Sequence, residues 1–160
     1  MKNTTHLILG MLALTFGMEV KAQIQLPSVF SDGMVLQQNS KVAVWGWGNP
    51  SETLMILSEW NPGDTVRTVV ATQGRRKAEV PTGRAGGPYT LEVKGGNDSR
   101  KLSDVMLGEV WLCSGQSNME WSANMGIMNG EQEVKQAACP SVRIFNNPKQ
   151  GADTPPTDCR

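Results

Sequence analysis

Imidazole is almost missing from this chain: its 160 residues contain one histidine, His6. Cysteine is scarce too, with Cys113, Cys139 and Cys159 far apart. A zinc centre needs close Cys or His pairs, so no metal site of that kind is expected, and nothing in the sequence calls for another cofactor. Net charge is lacking as well, because 15 Lys and Arg stand against 15 Asp and Glu. That balance gives no electrostatic footprint for nucleic acid or an anionic membrane. No apolar run reaches the ~20 residues needed to span a bilayer. The longest, residues 7–18 (LILGMLALTFGM), follows Lys2 and precedes Val20-Lys21-Ala22, which puts Val and Ala at the −3 and −1 places of a cleavage site before Gln23. This layout predicts a secretory signal over residues 1–22, not a membrane anchor, and a secreted or periplasmic product. No Cys follows Ala22, which disfavours a lipid anchor. Cleavage would remove Lys2, Lys21 and Glu19, leaving 13 basic and 14 acidic side chains, and would remove His6. The odd cysteine count leaves at least one thiol without an internal partner.

What is present first is a run of strand signals. Residues 42–47, 53–60, 66–71 and 77–80 are β-rich stretches separated by Gly/Pro/Asn turns such as Asn61-Pro62-Gly63-Asp64. Residues 89–94 alternate cleanly, with Tyr89, Leu91 and Val93 on one face and Thr90, Glu92 and Lys94 on the other. One face should therefore be packed and the other wet, and residues 95–98 (GGND) suit a hairpin turn. A β-sandwich domain over residues 23–104 is expected.

From residue 105 the pattern changes. Val110-Trp111-Leu112-Cys113 is apolar without alternation, as in a strand covered on both faces of a parallel sheet. The spacing predicts a helix opening at Ser117 and a second over residues 131–138, with Glu131 and Lys135 four apart. A second buried strand is expected over residues 142–145. Strand, helix, strand is the start of a doubly wound α/β domain, and two such strands cannot bury both faces by themselves. Residues 105–160 are therefore expected to be an incomplete domain and the chain a fragment.

Ser117 is the residue of chemical interest. A hydroxyl after a buried strand and a Gly-containing turn sits where open α/β sheets hold ligands, and backbone N–H groups at a helix start can hold an oxyanion. The structural alternative is equally open at this point: Ser117-Asn118-Met119-Glu120 fits a capping box, in which Ser117 only satisfies free N–H groups. The stretch is not a G-x-S-x-G elbow, because Met119 stands at the second glycine. Cys113 reads as a small buried hydrophobe. Trp45 and Trp47 share a strand face and suit a core more readily than a sugar platform.

The block GEVWLCSGQSNMEW over residues 108–121 resembles the nucleophile segment of the sialate O-acetylesterase family of SGNH hydrolases. LPSVFSDGMVLQQ (26–38), VWGW (44–47) and AGGPY (85–89) resemble that family's N-terminal β-domain, so the likeness covers nearly all of residues 24–145. The resemblance implies an α/β, flavodoxin-like catalytic domain and a serine esterase acting on an acetylated sugar or glycan. It implies Ser117 as nucleophile, with its own N–H in the oxyanion hole. Gln116, standing where many SGNH enzymes carry Asp, and Asn118 are candidate oxyanion or substrate contacts. The family's remaining oxyanion donors, and the Asp and His that supply its base, belong to later blocks that this sequence lacks. The chain alone is therefore expected to be inactive. Lys135 and Lys149 are conceivable substitute bases, with no spacing in their favour. The competing reading is a non-catalytic carbohydrate-binding β-module. Nothing in the sequence sets an oligomeric state.

Overall fold

The computed structural model describes residues 23–147, 149, 151 and 153–159. The expected signal segment, with His6, lies outside the described residues. Seven strands precede two short helices: β1 (Val35–Gln37), β2 (Lys41–Trp47), β3 (Thr53–Ser58), β4 (Thr65–Val69), β5 (Arg75–Pro81), β6 (Gly86–Gly95), β7 (Asp98–Gly108), α1 (Ser117–Glu120) and α2 (Gly130–Gln136). Five strands form one sheet in the order β1-β7-β6-β3-β4, while β2 and β5 form a second.

The alternation along β6 does what its pattern requires. Leu91 and Val93 are fully buried, and Glu92 faces outward to pair with Lys94 at 3.0 Å. The turn after Gly95 closes the β6–β7 hairpin, with Gly95 opposite Asp98 and Gly96 at φ +51°. Along β3, Leu54 and Ile56 point inward while Thr53 and Met55 point out. Val44 of β2 and Ala78 and Val80 of β5 join the same apolar cluster as Leu54, Ile56, Leu91, Val93, Val105 and Leu107. The two sheets thus share one core. Each fully buried Leu, Ile or Val there contributes about 1.5–3 kcal/mol relative to exposure.

Two local features bear on the rest of the chain. Gln25 forms an antiparallel bridge to Trp47, with N–H···O distances of 3.0 and 2.9 Å in the two directions. A Cβ at Gly46 would lie 2.2 Å from the Gln25 carbonyl oxygen, so only glycine permits that approach. Arg76 lies on the inward face of β5 with Ala78 and Val80, and only 5% of it is exposed. Among the described residues none of its three guanidinium nitrogens has a hydrogen-bond partner.

β1 and β7 run parallel, Val35 opposite Met106 and Gln37 opposite Gly108. Of the expected β-α-β continuation, α1 opens at Ser117 and α2 covers Gly130–Gln136, while the strands expected at 110–113 and 142–145 are not formed among the described residues. Among the described residues no strand follows Gly108, and Trp111, Leu112 and Ile144 are 83, 94 and 87% exposed. The physical reason is that a strand apolar on both faces needs neighbours on its edges and layers above and below. The described residues supply neither.

Candidate active site

The segment leading to Ser117 is tied to the end of β1. The Glu109 carboxylate accepts from Gln37 Nε2 at 3.0 Å and from Gln38 Nε2 at 2.7 Å, and Gln37 Oε1 accepts from the Val110 N–H at 3.0 Å. The hydrogen bonds from Gln37 and then Gln38 hold the Glu109 carboxyl below its ordinary range, because they favour the ionised form. Sequence reasoning missed this clamp. Its trace was the polar pair Gln37-Gln38 directly after the apolar Val35-Leu36.

Beyond Glu109 the backbone carries no ladder until Ser117 opens α1 as its first helical residue. Gln116 is the N-cap, with φ −112° and ψ −143°, and no side chain caps the helix. The capping box that S-x-x-E suggests is therefore not made. Glu120 pairs instead with Lys149, and the Met119 N–H reaches the Gln116 carbonyl at 3.0 Å. Ser117, Gln116 and Asn118 are all exposed. Among the described residues nothing hydrogen-bonds the Ser117 hydroxyl. The turn before it depends on Gly115, where a Cβ would sit 2.6 Å from Met119 Cγ.

A second clamp holds the far side of the segment. Arg143 Nη1 donates to the Gly33 carbonyl at 2.8 Å and also to the Asp104 carbonyl, while Nη2 meets Asp104 Oδ1 at 2.9 Å. Asp104 has φ +56°, an unusual conformation for a residue with a Cβ. Of the conceivable substitute bases, Lys149 is paired with Glu120 and Lys135 lies in the last turn of α2.

Cys113, Cys139 and Cys159 are exposed and unpaired, which corrects the expectation that Cys113 is buried. No cluster of His, Cys, Asp or Glu fit to hold a metal occurs among the described residues. No helix among them is long and apolar enough to cross a membrane. Trp45 packs against the core and meets Phe30 and Trp47 edge-on, at ring distances of 6.3 and 5.6 Å. Trp47 also borders an open cleft of about 720 Å³, with Leu26, Phe30, Arg100, Lys101 and Asp158.

Over 130 residues the chain is 32% identical to the sialate O-acetylesterases of Rattus norvegicus and of Homo sapiens. The likeness to that of Mus musculus is 30% over 128 residues. The chain is a relative of the sialate O-acetylesterases. Each match takes in 74% of this chain but only 23–24% of the relative, so the chain spans about a quarter of their length. The crystal structure of a carbohydrate acetylesterase from Xanthomonas citri superposes with a TM-score of 0.76 at 33% identity, over 86% of this chain and 31% of that one. No protein-family model matches the sequence.

Proposed function

We propose that this chain carries the nucleophile segment of an exported carbohydrate O-acetylesterase of the sialate type, with Ser117 as the attacking residue. The observation that carries the reading is a serine hydroxyl exposed and unengaged at the start of α1, in a chain 32% identical to sialate O-acetylesterases. Ser117 Oγ attacks the acetyl carbonyl while a base takes its proton. The tetrahedral oxyanion is held by N–H donors, among them that of Ser117, and collapses to an acyl-serine as the sugar leaves as its alcohol. Water attacks the acyl-serine and releases acetate. Gln116 and Asn118, flanking Ser117, are assigned to oxyanion or substrate contact. The catalytic domain is assigned an SGNH-type α/β fold built on the segment after the sheet unit, and residues 1–22 to export.

A serine hydroxyl is a weak nucleophile without its base, and general-base help is worth ~10²–10⁴-fold. The only histidine of the 160 residues is His6, within the segment assigned to export. The 160-residue chain alone is therefore assigned no esterase turnover. A p-nitrophenyl acetate assay tests this: release at the buffer rate is expected, and release that Ser117→Ala abolishes would refute the inactivity. In a gene product of the relatives' length, Ser117→Ala is expected to remove acetate release, and retained turnover would exclude Ser117 from the mechanism.

One observation favours a second reading, a carbohydrate-binding β-module: Trp47 borders an open cleft beside Arg100 and Lys101. Glycan-array binding by the chain that Trp47→Ala abolishes would support it.

A further inference from the structure

Away from the Ser117 segment lies the open cleft of about 720 Å³ that Trp47 borders. Its volume is that of a small-molecule site. The lining comes from residues 23–26, Phe30, Trp47, residues 100–102 and residues 157–158, so none of it belongs to the block 108–121.

The aromatic wall of the cleft is fixed on two sides. The Trp47 backbone exchanges hydrogen bonds with Gln25 at 3.0 and 2.9 Å. Its ring meets Trp45 edge-on at 5.6 Å, and Trp45 in turn meets Phe30 at 6.3 Å. Ile24 and Phe30, both buried, supply an apolar floor. Trp47 itself is half-buried, so part of the indole stays open. A braced indole beside an apolar floor suits the apolar face of a sugar ring. Gln23 and Gln25, exposed in the same lining, add amide donors and acceptors for hydroxyls.

The charge in the cleft is unevenly committed. Arg100 Nε donates to the Ile24 carbonyl at 2.9 Å, and the Ile24 N–H is held by Asp98 Oδ2 at 2.7 Å. The guanidinium is thus anchored at one nitrogen. Among the described residues its two terminal nitrogens have no hydrogen bond and no ion pair. Unlike Arg76, Arg100 is exposed. Lys101 stands opposite Glu92 in the β6–β7 ladder. The Asp158 carboxylate already accepts from the Ser28 N–H at 2.8 Å and the Ser28 hydroxyl at 2.9 Å. What stays available is a two-nitrogen fork, the geometry that matches a carboxylate.

We propose that this cleft binds a carbohydrate residue bearing a carboxylate, its apolar face on the Trp47 indole and its carboxylate on the terminal nitrogens of Arg100. The inference deepens the carbohydrate-binding reading of the cleft and rests on it; it does not need Ser117 to be a nucleophile. A neutral sugar leaves the fork to water, and a carboxylate without a sugar ring leaves the indole bare, so selectivity requires both. Fixing Trp47 and Arg100 Nε in advance lowers the ordering cost of binding.

Isothermal titration of the purified 160-residue chain tests this. The probes are trigalacturonic acid and sialyllactose, each against its neutral methyl ester, with triglutamate as a control for charge alone. At least one acid sugar is expected to bind, and its ester to bind about tenfold or more weakly, the factor one charge-assisted contact is worth. Arg100→Gln should weaken the acid by the same factor and leave the ester's affinity unchanged. Trp47→Ala should weaken both, and Arg67→Gln, which removes an exposed cation outside the cleft, should weaken neither. Added NaCl should weaken the acid alone, since salt screens an exposed charge pair. The proposal is overturned if triglutamate binds as well as the acid sugars, or if Arg100→Gln weakens acid and ester alike, which would mark Arg100 as a structural tie to Ile24. Acid and ester binding equally, both lost in Trp47→Ala, would overturn the carboxylate selectivity and keep the carbohydrate-binding reading. Binding of neither acid nor ester would overturn both.

Discussion

Arg76 offers the sharpest stability test. Only 5% of the residue is exposed, it lies on the inward face of β5, and among the described residues none of its three guanidinium nitrogens has a hydrogen bond. Burial pushes its pKa below the ordinary arginine value, opposed by the charge of Glu52. That carboxylate is shared, since Glu52 Oε2 accepts from Asn49 Nδ2 at 3.1 Å. A charge taken from water into an apolar interior costs several kcal/mol unless it is well paired, and replacing buried ionic groups with apolar residues of similar volume commonly stabilises by about 1–4 kcal/mol. Arg76→Met keeps the aliphatic stem that packs beside Ala78 and Val80 and deletes the desolvated head. It is expected to stabilise the fold by that amount. For a unit of roughly 60–100 residues, each kcal/mol moves Tm by about 4–8 °C, so calorimetry should register a rise of at least about 4 °C. Glu52→Gln removes the opposing charge and should lower Tm. In the double variant the Glu52→Gln effect should shrink, because nothing is left for it to compensate. A fall in Tm on Arg76→Met would refute the reasoning, as it would mean the guanidinium is satisfied in solution.

Gly46→Ala should destabilise by about 1–3 kcal/mol or more, through overpacking against the Gln25 carbonyl 2.2 Å from the new Cβ; urea unfolding measures it, and an unchanged midpoint would argue against the bridge. Because Glu109 has a lowered pKa in the folded chain, its contribution is present above the ordinary carboxylate value of about 4.3 and is lost as pH falls through the lowered one. Glu109→Gln should flatten that part of the acid unfolding curve, and an unchanged acid limb would sink the claim. Arg143→Ala removes a half-exposed ion pair and the guanidinium's bonds to the Gly33 and Asp104 carbonyls, so a loss of about 1–3 kcal/mol is expected. Limited proteolysis between residues 139 and 147 should accelerate, and equal cleavage rates would dismiss the second clamp.

The sheet unit was largely legible because its signals are local. The period-two pattern of Tyr89, Leu91 and Val93, and the glycines at 95 and 96, dictate β6 and its hairpin without reference to anything distant. β1 was not legible: three residues give no period, and its partner Met106 lies some seventy positions away. The clamps escaped for the same reason, since Gln37 and Glu109 meet only after the sheet has formed. Residues 110–113 misled in an instructive way. Their composition reports the environment they are suited to, a fully covered strand, and the described residues do not supply that environment. Around Ser117 the sequence named the residue, while its freedom from the capping role could be seen only in the backbone, where Gln116 takes the cap position instead.

The parallel pairing of β1 with β7 also governs the order of assembly. Some seventy residues must emerge from the ribosome between one strand and the other, and such distant contacts close late because the loop entropy is met before the contact rewards it. The perch for Glu109 exists only once that closure is complete.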